Sequence, residues 1–326
     1  MKQLIYLLIC GLLFVSCYKE IDLSEYGTTP KMVINCTVSP DAVVMASITR
    51  TWFYAENMPD VRLPHAKVDL YINDHFIEQM KLKTRPNPLA PERPDTLFFS
   101  TTIPAEGDKI KIIASTPEYG TATAEDVIPK KVQIKDVQYH IRKGEGLYEG
   151  TYPDYDEIYY EVTFTDLPDE DNYYFVRVLE YRDDRVYGLS YWSWVDGVDY
   201  YDPIFKEQDN ILDGGLNFDG LNKRGGALFT DQSIKGQSYT LQLKESSVGL
   251  EEGEVRRIAI YSLSQSYYLY LLSLQKVSGS TLEGGLGNIG FAEPLRVYSN
   301  VEGGTGILGG NQHSETEITL NNIPKK

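Results

Sequence analysis

Few side chains in this sequence are placed to do chemistry. The four histidines, His65, His75, His140 and His313, form no HExxH pair and no close grouping with carboxylates at metal spacing. His65 and His75 are expected at the surface. No GxSxG elbow and no Walker-type glycine loop occurs, and Gly303-Gly304-Thr305-Gly306 lacks the lysine of a phosphate loop. Cys36 has no histidine at a nucleophile-pair spacing. It sits in the alternating run MVINCTVS and reads as a small buried hydrophobe. Carboxylates cluster at Asp154/Asp156/Glu157, Asp169/Glu170/Asp171, Asp183/Asp184 and Asp196/Asp199/Asp202. Oxygen-rich loops can hold Ca²⁺, but EF-hand spacing is missing, so a solvated surface is expected. A glycosidase-type carboxylate pair would need a separation of about 5–10 Å, which spacing in sequence does not supply. The sequence therefore points to no catalytic residue, no metal ligand and no cofactor.

Aromatic residues are the other candidates. The run from Tyr181 to Tyr201 holds Tyr187, Tyr191, Trp192, Trp194, Tyr200 and Tyr201. Trp and Tyr offer flat apolar faces with polar tips, suited to a sugar or a peptide. In an extended run Trp192 and Trp194 share one face. With Tyr191 they form the candidate ligand-binding group; a buried hydrophobic cluster is the competing account.

The N-terminus carries an address. Residues 1–17 read MKQLIYLLICGLLFVSC, with Lys2 as the positive end. The apolar stretch from Leu4 to Val15 is about a dozen residues, short of the roughly 20 that span a bilayer. Phe14-Val15-Ser16-Cys17 looks like a bacterial lipobox, with Phe where Leu is usual. It implies a thioether-linked diacylglycerol on Cys17, cleavage before it, and acylation of the new amine. Each buried methylene of such chains contributes about 0.8 kcal/mol, so several chains anchor stably. Tyr18-Lys19-Glu20-Ile21-Asp22 resembles a surface-export signal of Bacteroidetes lipoproteins.

Charge and composition bound the partners. Asp and Glu total 47 against 31 Lys and Arg, for a net charge of −16. That balance argues against nucleic acid, which is bound through basic side chains. With 42% apolar and 24% charged residues the chain is globular.

The elements follow from period-two alternation and turn residues. Expected strands in the first half are Met32–Val38, Val43–Thr51, Val68–Ile72, Phe76–Leu82, Leu97–Thr102, Lys109–Ser115 and Thr121–Val127. Asn73-Asp74 reads as a hairpin turn. Pro86, Pro88, Pro91 and Pro94 mark a loop. Expected strands in the second half include Val132–Ile141, Glu157–Thr165, Tyr173–Tyr181, Val186–Trp194, Ser238–Lys244 and Val255–Leu263. The stretch 195–236 reads as long loops. Ser264 is placed to cap a helix in which Tyr267, Tyr270, Leu271, Leu274 and Val277 share a face, packed on a sheet. The fold class is mainly β: an N-terminal immunoglobulin- or fibronectin-like sandwich followed by a second antiparallel β domain with one short helix. The domain reading is a signal peptide over 1–16, a lipidated tether over 17–29, a sandwich over 30–128, and a β-rich domain over 129–326 with the helix near 264–277.

SQSYYLYLLSL from Ser264, then Phe291-Ala292-Glu293-Pro294 and VYSNVEGGTGILG from Val297, resemble the Bacteroidetes outer-membrane lipoproteins of domain-of-unknown-function family 4249. Phe229-Thr230-Asp231 with Gly236, and the Val33-Asn35 to Pro40 opening, also fit. The resemblance implies an outer-membrane lipoprotein often encoded near TonB-dependent transporters, and no catalytic residue. From the residues alone, the glycine-rich segment reads as a turn that lets the chain re-enter the sheet. The expectation is a non-enzymatic, lipid-anchored, surface-exposed lipoprotein of the outer membrane that binds a TonB-dependent transporter or its nutrient. A carbohydrate- or peptide-binding module and an envelope structural or assembly role are the alternatives.

Overall fold

Alternation builds the sheets. In β1 (Met32–Val38), the side chains of Met32, Ile34, Cys36 and Val38 point into a core while those between them point away. In a computed structural model of the chain the described residues are 29–53, 59–85, 94–144, 155–184, 189–205, 225–279 and 296–324. The first half continues with β2 (Met45–Arg50), β3 (Lys67–Ile72), β4 (His75–Gln79), β5 (Lys81–Arg85), β6 (Asp95–Phe99), β7 (Lys109–Thr116) and β8 (Gly120–Val127). Then come β9 (Ile134–Lys143), β10 (Tyr155–Thr165), β11 (Tyr173–Asp184), β12 (Leu189–Trp194), β13 (Val198–Asp199), β14 (Ala227–Thr230), β15 (Ser238–Val248) and β16 (Val255–Leu263). Helix α1 (Gln265–Gly279), β17 (Val301–Glu302) and β18 (Thr305–Thr319) complete the order.

The fold is mainly β and of sandwich type. One long sheet runs β12-β11-β16-β18-β1-β2-β6-β5, with β14 also on β11. A second sheet, β17-β8-β7-β3-β4, closes a core of Ile34, Cys36, Val68, Leu70, Ile110 and Ile112. A third, β13-β15-β10-β9, closes another core around Tyr160, Phe164, Tyr174, Val176, Leu241 and Ile258. The first core ends at Ile128 and the second begins at Val132, except that Val301 and Leu308 enter the first.

β18 ties the two together. It pairs in parallel with β1, from Val33 opposite Thr305, and antiparallel with β16, to Val255 opposite Thr319. Leu308 is in the first core and Leu320, just past the strand, is in the second. The buried polar residues Gln312 and Ser314 lie between them. Gln312 Nε2 donates to Pro129 O and Ser314 Oγ accepts the Ile134 amide at 3.1 Å, so the linker between the sandwiches is fastened to the shared strand.

Several elements differ from the sequence expectation. The run Phe76–Leu82 is two strands in different sheets; the chain crosses at buried Met80, whose amide donates to Val68 O. Ala227–Thr230 is a strand inside a stretch read as loop. The glycine-rich segment makes a tight turn after β17 but then runs on as a long strand. Gly306 has φ +111°, and a Cβ there would lie 2.1 Å from Ile34 O. Asn300 clamps that strand: its amide donates to Leu308 O at 2.8 Å and its carbonyl accepts the Leu308 N–H at 3.1 Å. Asn73 and Asp74, at φ 52° and 65°, form the expected two-residue hairpin turn. Of the proline-rich loop, Pro86, Pro88 and Pro91 lie outside the described residues, and Pro94 leads into β6.

Candidate functional site

The helix start is fixed as its sequence suggests. Ser264 Oγ accepts the Tyr267 amide at 3.2 Å and pairs with Asp126 Oδ2 from β8. Asp126 Oδ2 also accepts the Gly310 amide at 2.9 Å. Burial raises the Asp126 carboxyl above its ordinary range, against the hydrogen bonds it receives. Asp126, Pro129, Asn172, Tyr173, Ser262 and Gln265 line a polar groove of about 390 Å³ between the sandwiches. The hydrogen bonds of Asp126 are spent on the fold, so its role is to pin α1, β8 and β18 together.

The buried face of α1 is not the expected stripe. Tyr268 is its most buried side chain, 4.9 Å from the Tyr173 ring, whereas Leu274 and Val277 are exposed. The run YYLYLL is apolar all round, so periodicity alone does not choose a face. The sheet chooses it: Tyr267 sits where a Cβ on Gly309 would be, 2.6 Å from its ring.

Beyond α1, the outer face of the long sheet carries aromatic and charged side chains in one circuit. Alternation puts Phe175, Arg177 and Tyr181 of β11 outward, together with Arg257 and Tyr261 of β16. Register then brings Trp192 opposite Tyr181 and Trp194 opposite Leu179. Tyr181 meets Trp192 edge-on at 5.4 Å. Arg257 stacks on Trp192 at 4.0 Å and reaches Glu317 at 2.5 Å and Glu315 at 3.2 Å. Glu315 lies 3.6 Å from His313, whose ring is 5.3 Å from Tyr261. Tyr261 lies 6.1 Å from Phe175, and Arg177 sits over both Phe175 at 5.5 Å and Trp194 at 5.9 Å. Arg177 Nε also donates to Gly225 O at 2.6 Å. Tyr181 is 54% exposed and Trp194 45%. Among the described residues β12 is the last strand of this sheet.

The candidate residues divide accordingly. Trp192 and Trp194 share the outer face, as alternation requires. Tyr191 lies opposite Arg182, on the other face, so it does not join them although it is exposed. Tyr200 is buried against Phe205 and belongs to the core. Tyr187 and the lipid-attachment candidate Cys17 lie outside the described residues. Sequence reading missed Arg257, whose partner Trp192 is far away in the chain. The alternation of Val255–Leu263 marks it as facing Tyr261, but not as facing a tryptophan.

The other chemical candidates are structural. Cys36 is buried, which pushes its thiol up to about 12. Asp156 pairs with Lys143 at 2.7 Å, Glu157 with Lys244 at 3.5 Å, and Asp171 with Lys235 at 2.6 Å. Buried Asp202 accepts Tyr239 Oη at 2.7 Å and the Gln242 amide at 3.0 Å. Among the described residues no three His, Cys, Asp or Glu are grouped to hold a metal ion, and no helix is long and apolar enough to cross a membrane.

No curated protein matches the chain. A family model described as a domain of unknown function (DUF4249) does match, over residues 18–317, and the chain belongs to that family.

Proposed function

We propose that this protein is a non-catalytic lipoprotein of the Bacteroidetes outer membrane, anchored through Cys17 and exposed at the cell surface. In this reading it holds a protein partner, a TonB-dependent transporter, against the aromatic and arginine face around Trp192 and Trp194. The supporting observation is the circuit of Tyr181, Trp192, Trp194, Arg177 and Arg257, with Tyr181 and Trp194 exposed, at the last described strand of the long sheet. Trp, Tyr and Arg are the residue types that dominate protein-protein binding energy. The lipobox, the acidic tether and the family resemblance support the location.

A glycan or peptide ligand is the second reading, carried by the shared face of Trp192 and Trp194. Sugar stacking requires an open ring face. One face of Trp192 is covered by Arg257 at 4.0 Å, which favours the protein partner. The test is recovery of the tagged protein from native outer membranes, with Trp192→Ala/Trp194→Ala alongside. The transporter should co-purify with the wild type and be lost from the double variant. Equal recovery, or no transporter with either, overturns this site. Retention on a glycan panel that depends on the tryptophans would establish the second reading instead.

A further inference from the structure

All three tryptophans of the chain sit at the two ends of one strand. Trp194 lies opposite Leu179, Leu179 opposite Arg257, and Arg257 opposite Glu317. At the other end Val33 lies opposite both Thr305 and Thr49. Thr305 and Glu317 belong to the same strand, β18, and are about 40 Å apart at roughly 3.3 Å per residue. Trp52 belongs to the Thr305 end. The Thr51 amide donates to Lys31 O at 2.8 Å, and the Lys31 amide to Thr51 Oγ1 at 2.9 Å. These bonds fix Trp52 beside the point where the described chain begins, and its side chain is 44% exposed.

We infer that Trp52 is a membrane-interface anchor, and that the molecule stands with this end on the lipid surface and the Trp192–Trp194 face at the far end. The inference rests on the proposed lipidation of Cys17. From Cys17 to Thr29 the chain reaches at most about 40 Å, so the acyl chains hold this end within reach of the bilayer. An exposed Trp suits that place, since its ring is apolar and its N–H is satisfied at the wet boundary.

The charges at this end do not carry the contact. Lys31, Arg50, Arg62 and Lys67 lie there with Asp60, Asp69 and Glu118; Arg62 is paired with Asp60 at 2.7 Å and Lys67 with Asp69 at 2.6 Å. Burial of the ring is therefore the driving term, and the contact should persist at high salt.

The tryptophans report on this themselves. Lipidated full-length protein is reconstituted into vesicles of phosphatidylethanolamine and phosphatidylglycerol with plain or brominated acyl chains. In Trp192→Phe/Trp194→Phe the tryptophan emission comes from Trp52 alone. Its emission should shift to the blue on reconstitution and be quenched by the brominated lipid, in high salt as in low. In Trp52→Phe the two remaining tryptophans should be unaffected by bromination. Unquenched Trp52 in protein that floats with the vesicles overturns the inference while leaving the anchor standing. Quenching of Trp192 and Trp194 overturns it as well. Failure of the wild-type protein to float overturns the anchor at Cys17, and this inference with it.

Discussion

The Arg257 guanidinium lies 4.0 Å from the centre of the Trp192 ring, and Glu317 grips the same guanidinium from the neighbouring strand at 2.5 Å. Trp192 is held between Arg257 and Tyr181 on a surface open to solvent, so its ring is presented in a set position. A rigid aromatic group loses little side-chain entropy on binding.

Arg257→Ala should therefore weaken partner binding more than it weakens the fold. An exposed cation-ring contact contributes about 0.5–1 kcal/mol, and surface ion pairs about as little. The melting temperature should fall by only a few degrees, while transporter recovery drops markedly and tryptophan emission changes. A large loss of stability with undiminished recovery would assign Arg257 to the fold.

Gly309 is the hole into which Tyr267 of α1 fits. Gly309→Ala places a methyl against that ring and should cost about 1–3 kcal/mol in urea unfolding. Tyr267→Ala removes the clash, so the double variant should be more stable than the two single losses sum to. Strict additivity would mean that the helix does not seat there.

The second core contains an ion pair. Glu245 accepts from Arg256 at 2.9 Å and from Tyr160 Oη at 2.5 Å, and all three side chains are buried. Burial, followed by the nearby Glu245 charge, raises the Tyr160 phenol. Arg256 Nη1 also donates to the half-buried Glu254 at 3.0 Å, so removing Glu245 leaves the guanidinium with that one acidic partner and deprives the Tyr160 hydroxyl of its buried acceptor. Glu245→Ala should cost about 3–5 kcal/mol by chemical denaturation. A loss under about 1 kcal/mol would show that Glu254 and solvent satisfy Arg256 without Glu245.

Asp126 gives a pH signature. Its carboxyl is raised above the ordinary 3.8 by burial. A carboxyl with a higher pKa in the folded chain than in the unfolded one adds stability while protonated, and loses it as pH rises through the folded value. Asp126→Asn cannot titrate. Its melting temperature relative to the wild type should therefore climb from about pH 4 upward. A difference that stays constant with pH would contradict the burial of this carboxyl.

Much of the fold was legible because alternation is a local property. Met32–Val38, Lys109–Thr116 and Tyr155–Thr165 announce their buried faces, and Ser264 announces a helix start. What sequence could not supply was pairing between distant segments. Arg256 and Arg257 are adjacent and alike, yet one enters a core to meet Glu245 while the other lies on Trp192. Only the register of β16 between β11 and β18 separates them. The segment around Ser299-Asn300, the most recognisable in sequence, serves the backbone: Asn300 clamps Leu308 and Gly306 lets β18 pass close to Ile34. The aromatic face, by contrast, is assembled from β11, β12, β16 and β18, and no single stretch of sequence contains it.

The central claim, that this face is where a partner sits, is tested most directly by photo-crosslinking in living cells. A benzophenone amino acid replaces Tyr181 in one strain and exposed Ile103, in the first sandwich, in another. The account predicts a crosslink to a TonB-dependent transporter from position 181 and none from 103. A transporter adduct from 103 with none from 181 would contradict it.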